Sequence, residues 1–263
     1  MHLALVLAII LPFFSLGQVP STIKDIQLPP SFQRVKTVEG SFGHYLRNLP
    51  LRNDQTVYLY NGSRKPDQRA LFAVLNLAIG KENLLQCADM IMMLRSHYLF
   101  SLGNYAAIRF IAGDGTWLNY ADWCSGKRFV LKGNRLVPGM NSGGITRMNN
   151  RKSLDGFLDF VYRYAGTLSL EKQLQRTTSV WAMKPGDVFI RGGSPGHAML
   201  VADMAENDRG EKLFLLMQGY MPAQDIHIVK NMGGSATQPW YLLKHSALVT
   251  PEWTFEPSQL RSW

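Results

Sequence analysis

The chain has 263 residues, of which 46% are hydrophobic and 11% aromatic, with six Trp; such a composition can bury a sizeable core and excludes a disordered chain. Lys and Arg number 28 against 19 acids, a formal charge of +9 that is scattered along the chain, and no nucleic-acid-binding motif accompanies it, so no nucleic-acid partner is expected. The two Cys and six His fall short of recognised ligand spacings, so neither a metal nor another cofactor is expected.

Residues 1–17 read as an apolar run, LALVLAIILPFF, followed by the small residues Ser15 and Gly17, which is the layout of a secretory signal peptide. Export to a periplasmic or extracellular location is the expectation, with an uncleaved N-terminal anchor as the alternative. Nothing after this run is long and apolar enough to span a bilayer. A basic exported protein meets anionic cell-envelope polymers, and these are the partners its charge suits.

Residues 18–263 contain no linker, low-complexity tract or repeat, so one domain is predicted. Its first part, 18–52, is interrupted by Pro29 and Pro30 and reads as an arm with one short helix over 42–49. Thr56 to Tyr60 alternates as a strand does and ends at the turn signal Asn61-Gly62. A helix is predicted from Asp67 to Ile79, closed by Gly80. A second helix starts near Asn83, where Asn83 and Gln86 form a capping-box pattern. Its apolar residues Leu84, Ala88, Ile91, Leu94 and Tyr98 keep a 3.6-residue period, which places Cys87 in the opening turn.

A strand over 106–112 and helices over 117–124, 153–165 and 169–174 follow. Beyond Lys184-Pro185-Gly186 the pattern turns to strands over 187–191, 197–204, 213–218 and 241–244, separated by Gly- and Asn/Asp-rich turns. Helices first and an antiparallel meander afterwards predict an α+β fold with the helices on one side of the sheet.

Cys87 is the candidate nucleophile, because unpaired N–H groups at a helix N-terminus favour the thiolate. A base must take and return the proton, and His suits that near neutral pH. His197 is the candidate: it heads a strand directly after Gly193-Ser194-Pro195-Gly196, where small residues leave room for a substrate. His227 is the reserve. If the turn near 206–210 has two or four residues, His197 and Gln218 share a sheet face, and Gln218 becomes the residue that orients the imidazole. The Cys87 backbone N–H, with Gln86, Asn61 or Tyr60, would complete an oxyanion hole. Competing readings remain for the thiol: an inert core residue, or a Cys87–Cys124 disulfide.

The order Leu85-Gln86-Cys87-Ala88-Asp89, then Lys184-Pro185-Gly186-Asp187-Val188, then Gly196-His197-Ala198-Met199-Leu200-Val201 resembles NlpC-type papain-like cysteine peptidases and amidases. That resemblance implies a Cys87–His197–Gln218 triad, hydrolysis of a peptide or amide bond, and cell-wall peptide as the default substrate. The wide span between Cys87 and His197 implies an inserted, largely helical region, 114–177, beside the cleft. A non-catalytic module of the same fold, binding a cell-surface peptide or glycan, is the alternative function. Three stretches, Gln86-Cys87-Ala88-Asp89 with Leu94-Arg95, Ala165 to Lys172, and Gln218-Gly219-Tyr220-Met221-Pro222-Ala223-Gln224, also resemble the bacterial domain of unknown function 4846 family, which implies no particular reaction.

Overall fold

The computed structural model describes residues 20–139, 150–233 and 239–263. The signal-peptide reading of 1–17 lies outside the described residues, as does 140–149 of the expected insertion.

In chain order the elements are β1 (Phe32–Arg34), α1 (Phe42–Arg47), β2 (Leu71–Val74), α2 (Cys87–Ser101), β3 (Arg109–Ile111), β4 (Trp117–Asn119) and α3 (Tyr120–Cys124). Then come β5 (Phe129–Lys132), β6 (Arg135–Pro138), α4 (Arg151–Tyr164), α5 (Thr167–Gln173), β7 (Gln175–Arg176), β8 (Val188–Arg191) and β9 (His197–Asn207). The chain closes with β10 (Lys212–Gln218), β11 (His227–Val229), β12 (Tyr241–Leu242), β13 (Leu248–Val249), β14 (Thr254–Phe255) and β15 (Leu260–Ser262). The fold is α+β, as the sequence predicts.

The principal sheet runs β2-β11-β10-β9-β8-β15-β7, with β1 added beside β9 and β12 beside β10. Its paired strands are antiparallel. Along β9, Ala198, Leu200 and Ala202 turn to a helix-side core with α2 and α4, while Met199 and Val201 turn to a second core containing Phe189, Phe214 and Phe255. This alternation is the period-2 consequence of the pleat, and a strand buried on both faces reads as a continuous apolar run.

α2 is the central helix: Ala88 through Leu94, Ser96, His97 and Leu99 are buried, so it is enclosed nearly all round. α4 instead shows one apolar stripe, Leu154, Phe157, Leu158 and Val161. Asn150 starts it by accepting the Ser153 N–H at 2.9 Å, the ordinary N-cap arrangement.

Three expectations are corrected. Residues 67–79 form no helix; Leu71–Val74 is a strand paired with His227–Val229, because its apolar run is buried by sheet pairing, and periodicity alone does not separate a short buried strand from a helix. Thr56 to Tyr60 is extended but makes only isolated bridges, Tyr58 with Arg64 and Leu59 with Gln224. The segment 117–124 is divided, with Trp117–Asn119 pairing to β3 before the short α3 begins.

Candidate functional site

Cys87 is the first helical residue of α2. Gln86 is extended, and its N–H donates to Asp89 Oδ2 at 3.0 Å, so the residue pair that starts the helix is Gln86 and Asp89. The expected Asn83–Gln86 box is thereby corrected: Asn83 Oδ1 accepts the Ala223 N–H at 2.7 Å, and Gln86 meets Asn83 only through its side-chain Nε2, which donates at 3.4 Å. The exit of β10 lies directly on this helix start. A Cβ on Gly219 would stand 3.0 Å from the Gln86 carbonyl oxygen, so a residue without a side chain allows the approach.

His197 opens β9 opposite Arg191. The loop before it is tight: a Cβ on Gly196 would meet Gly193 O at 2.4 Å and Arg191 O at 2.8 Å. His197 is only 2% exposed, with its ring centroid 4.9 Å from Tyr220, 5.4 Å from Trp253 and 6.0 Å from Phe255.

Gln218 reaches the same sheet face by a route that the loop-length argument does not contain. The hairpin pairs Lys212 with Glu206, which leaves five residues, 207–211, in the turn. That odd length would set Gln218 and His197 on opposite faces. A bulge between Leu215 and Leu216 moves the register from Leu215↔Asp203 to Leu216↔Val201. The extra residue on β9 reverses the parity, and His197 Nε2 lies 3.0 Å from Gln218 Oε1.

Behind this contact is a buried polar network that fixes proton positions. The Glu252 carboxylate accepts from Lys65 Nζ at 2.6 Å and from Gln218 Nε2 at 2.5 Å. A carboxylate offers no proton, so the Gln218 amide nitrogen faces Glu252 and its oxygen faces His197. His197 must then donate from Nε2, which leaves Nδ1 with the lone pair of a base. The second Gln218 amide proton goes to His227 Nε2, 3.2 Å away, and His227 Nδ1 donates to Asp225 O at 3.0 Å. Every polar atom of the relay is consistent with one tautomer of each histidine.

Cys87 and His197 line one cleft of about 530 Å³, together with Gln86, Asp89, Tyr162, Tyr220 and Trp253. No hydrogen bond joins the sulfur to the imidazole among the described residues. Burial, and after it the Asp89 charge, pushes the Cys87 thiol up to about 11, although the N–H groups of Ala198, Ala88 and Cys87 itself work the other way. Burial holds His197 down at about 4 against the help of Gln218. Both shifts favour the uncharged forms, a neutral thiol and a neutral imidazole lining the same cleft. Asp89 is pushed up to about 7 by burial, and its Oδ1 is buried without a partner.

Of the sequence-derived candidates, Cys87, His197, Gln218 and Gln86 are brought together. Asn61 and Tyr60 do not line that cleft; Asn61 Oδ1 accepts from Ser63 N and Oγ within its own turn, and the Tyr60 N–H is held by Ala223 O. Cys87 and Cys124 are both free thiols, which removes the disulfide reading. Glu252, Lys65 and Asp89 escaped sequence reasoning as site residues. Glu252 sits in the aromatic tail beyond the last predicted strand, where no local spacing points to it. Asp89 alone carried a signal, as an acid three residues after a helix-capping position. No cluster of metal-ligating side chains occurs among the described residues, and none of their helices is long and apolar enough to cross a membrane.

The family described as Domain of unknown function (4846) matches residues 23–262. No curated protein and no solved structure matches the chain.

Proposed function

The chain belongs to the domain of unknown function 4846 family, and from that premise, which carries no reaction, we propose that it is an exported cysteine hydrolase of papain-like, NlpC-type architecture cleaving a peptide or amide bond. The observation that carries this reading is the His197–Gln218 contact at 3.0 Å, made behind the cleft that His197 lines together with a helix-starting cysteine. With Nε2 engaged by Gln218, Nδ1 is the basic nitrogen left for the thiol.

Because both groups rest neutral, the proton moves as the bond forms. Cys87 Sγ attacks the substrate carbonyl carbon while its proton passes to His197 Nδ1. The resulting oxyanion takes hydrogen bonds from the Cys87 backbone N–H, with Gln86 as the side-chain donor nearest the helix start. Collapse expels the amine, which carries away the proton from His197, and leaves a thioester on Cys87. Water activated by the same nitrogen then releases the carboxylic acid and restores the thiol.

Cell-envelope peptide is the proposed substrate, in keeping with the signal-like leader and the +9 charge. Incubating the parent and Cys87→Ala with muropeptides and a panel of acyl-amide probes tests it. Cleavage or labelling by the parent alone supports the hydrolase, and equal behaviour of the two proteins removes it.

A second reading, a non-catalytic module holding a cell-surface peptide or glycan, is favoured by the thiol raised to about 11 and by the lack of a direct Cys87–His197 hydrogen bond among the described residues. Under it, muropeptides bind the parent and Cys87→Ala with the same affinity and emerge uncleaved.

A further inference from the structure

Arg95 lies two turns along α2 from Cys87 and belongs to a different cleft, of about 360 Å³, between the start of α1 and the turn before β8. Its guanidinium stands 5.0 Å from the ring centroid of Phe42, 5.3 Å from Tyr98 and 5.1 Å from Trp263. Three aromatic faces of this kind fix a cation in place without neutralising it. Four other buried or half-buried arginines are neutralised. Arg34 and Arg47 sit on Asp203, Arg52 on Asp225 and Arg261 on Glu171, all at 2.5–2.8 Å. Arg95 has neither an ion-pair partner nor a hydrogen-bond acceptor among the described residues, although burial is costly enough to depress its pKa.

Two further cations and one acid line the same cleft. Lys36 and Lys184 are exposed in the lining, and neither has an ion-pair partner among the described residues. The acid in the lining, Asp187, is 1% exposed and its Oδ2 is held by the Lys184 N–H at 3.0 Å. Phe42, Pro185, Trp263 and Val38, the last 79% exposed, give the cleft an apolar wall, which the hydroxyl residues Thr37 and Ser41 interrupt. A cation that is oriented, partly dehydrated and unpaired beside an apolar wall is arranged to receive an anion with an apolar body.

We propose that this cleft is a binding site for a small organic oxyanion, a carboxylate or phosphoryl group carried on an aromatic or acyl body. The oxyanion pairs with the Arg95 fork, Lys36 and Lys184 close over it, and the body lies between Val38 and the Phe42–Trp263 wall. The site is separate from the Cys87 cleft and stands whether or not that cleft is catalytic.

The test titrates the full chain with benzoate, phenyl phosphate, inorganic phosphate and benzyl alcohol, followed by calorimetry and by the indole N–H resonance of Trp263. Saturable binding of benzoate or phenyl phosphate that moves the Trp263 resonance is expected, and the tighter of the two identifies the head group. Inorganic phosphate should bind at least tenfold more weakly, and benzyl alcohol not measurably. Arg95→Gln should weaken binding about tenfold or more, equivalent to about 1.4 kcal/mol. The rim variant Lys36→Gln/Lys184→Gln, at exposed positions that leave the core intact, should weaken it several-fold, and it decides the matter if Arg95→Gln does not fold. Absence of saturable binding, binding unaffected in both variants, or benzyl alcohol binding as tightly as the anions would overturn the proposal.

Discussion

At the scale of single residues, the decisive group in the cleft is Asp89, because its charge is the second cause, after burial, of the raised Cys87 thiol. Its own carboxyl is lifted by burial from 3.8 to about 7, so the folded chain holds a proton there that the unfolded chain has lost. Stability contributed at this position is complete below pH 3.8 and is lost as pH rises through about 7. Asp89→Asn keeps an oxygen for the Gln86 N–H but cannot ionise. The variant should therefore gain stability over the parent, by a margin that widens from pH 4 to pH 7 and then levels, as read from urea midpoints. Iodoacetamide should also alkylate its Cys87 at lower pH than in the parent, followed by mass spectrometry of the Cys87 peptide. A margin independent of pH would show that Asp89 is ionised in the folded chain throughout.

Cys87, His197 and Gln218 were readable as individual residues because each stands at an element boundary that Gly, Asn or a change of hydrophobic period marks. Glu252 was not. Its role is to be a proton acceptor for Gln218 and Lys65, partners 34 and 187 residues away, and nothing in Pro251-Glu252-Trp253 distinguishes it from a surface acid.

At the scale of elements, legibility followed burial pattern. The strands from 188 onward alternate or are bounded by glycine turns, so β8, β9 and β10 lie where the sequence predicts them. β2 is hidden because Leu71–Val74 gains its pairing from His227–Val229, a contact over more than 150 residues that local propensity does not contain. The β9–β10 bulge is equally invisible, since an inserted residue changes parity without changing composition. Its effect on the site is large: the expected even-length turn is in fact odd, and the bulge alone returns Gln218 to the His197 face.

The loop joining β8 to β9 carries the matching constraint. Two of the atoms crowding a Cβ at Gly196 are backbone oxygens, of Gly193 and Arg191, which cannot rotate away as a side chain would. Gly196→Ala should cost about 1–3 kcal/mol as an overpacked site, measured by denaturant titration, and should shift the His197 imidazole resonances. A variant with the parent's midpoint and unchanged His197 resonances would mean that the loop yields freely and does not position the ring.

At the scale of the whole molecule, the N-terminal arm is tied to the sheet by one buried carboxylate. Asp203, 0% exposed, receives Arg34 Nε at 2.8 Å and Arg47 Nε at 2.9 Å, while the Val35 N–H pairs with Met204 O at 3.0 Å. Arg34 also donates to the Ile26 carbonyl and Arg47 to that of Val35, so both guanidiniums hold arm and sheet together. Removing the shared anion leaves two partly buried cations unpaired, which costs more than the pair contributes. Since the arginine side chains retain 20% and 13% exposure, Asp203→Ala should destabilise by about 2–4 kcal/mol, below the upper end for a fully buried pair. If arm and body form one cooperative unit, the variant shows a single unfolding transition at lower urea, and the Val35 amide exchanges no faster than those of β10. A new, earlier transition confined to the arm, with the β10 amides still protected, would instead make the arm a separately opening cover on a stable sheet.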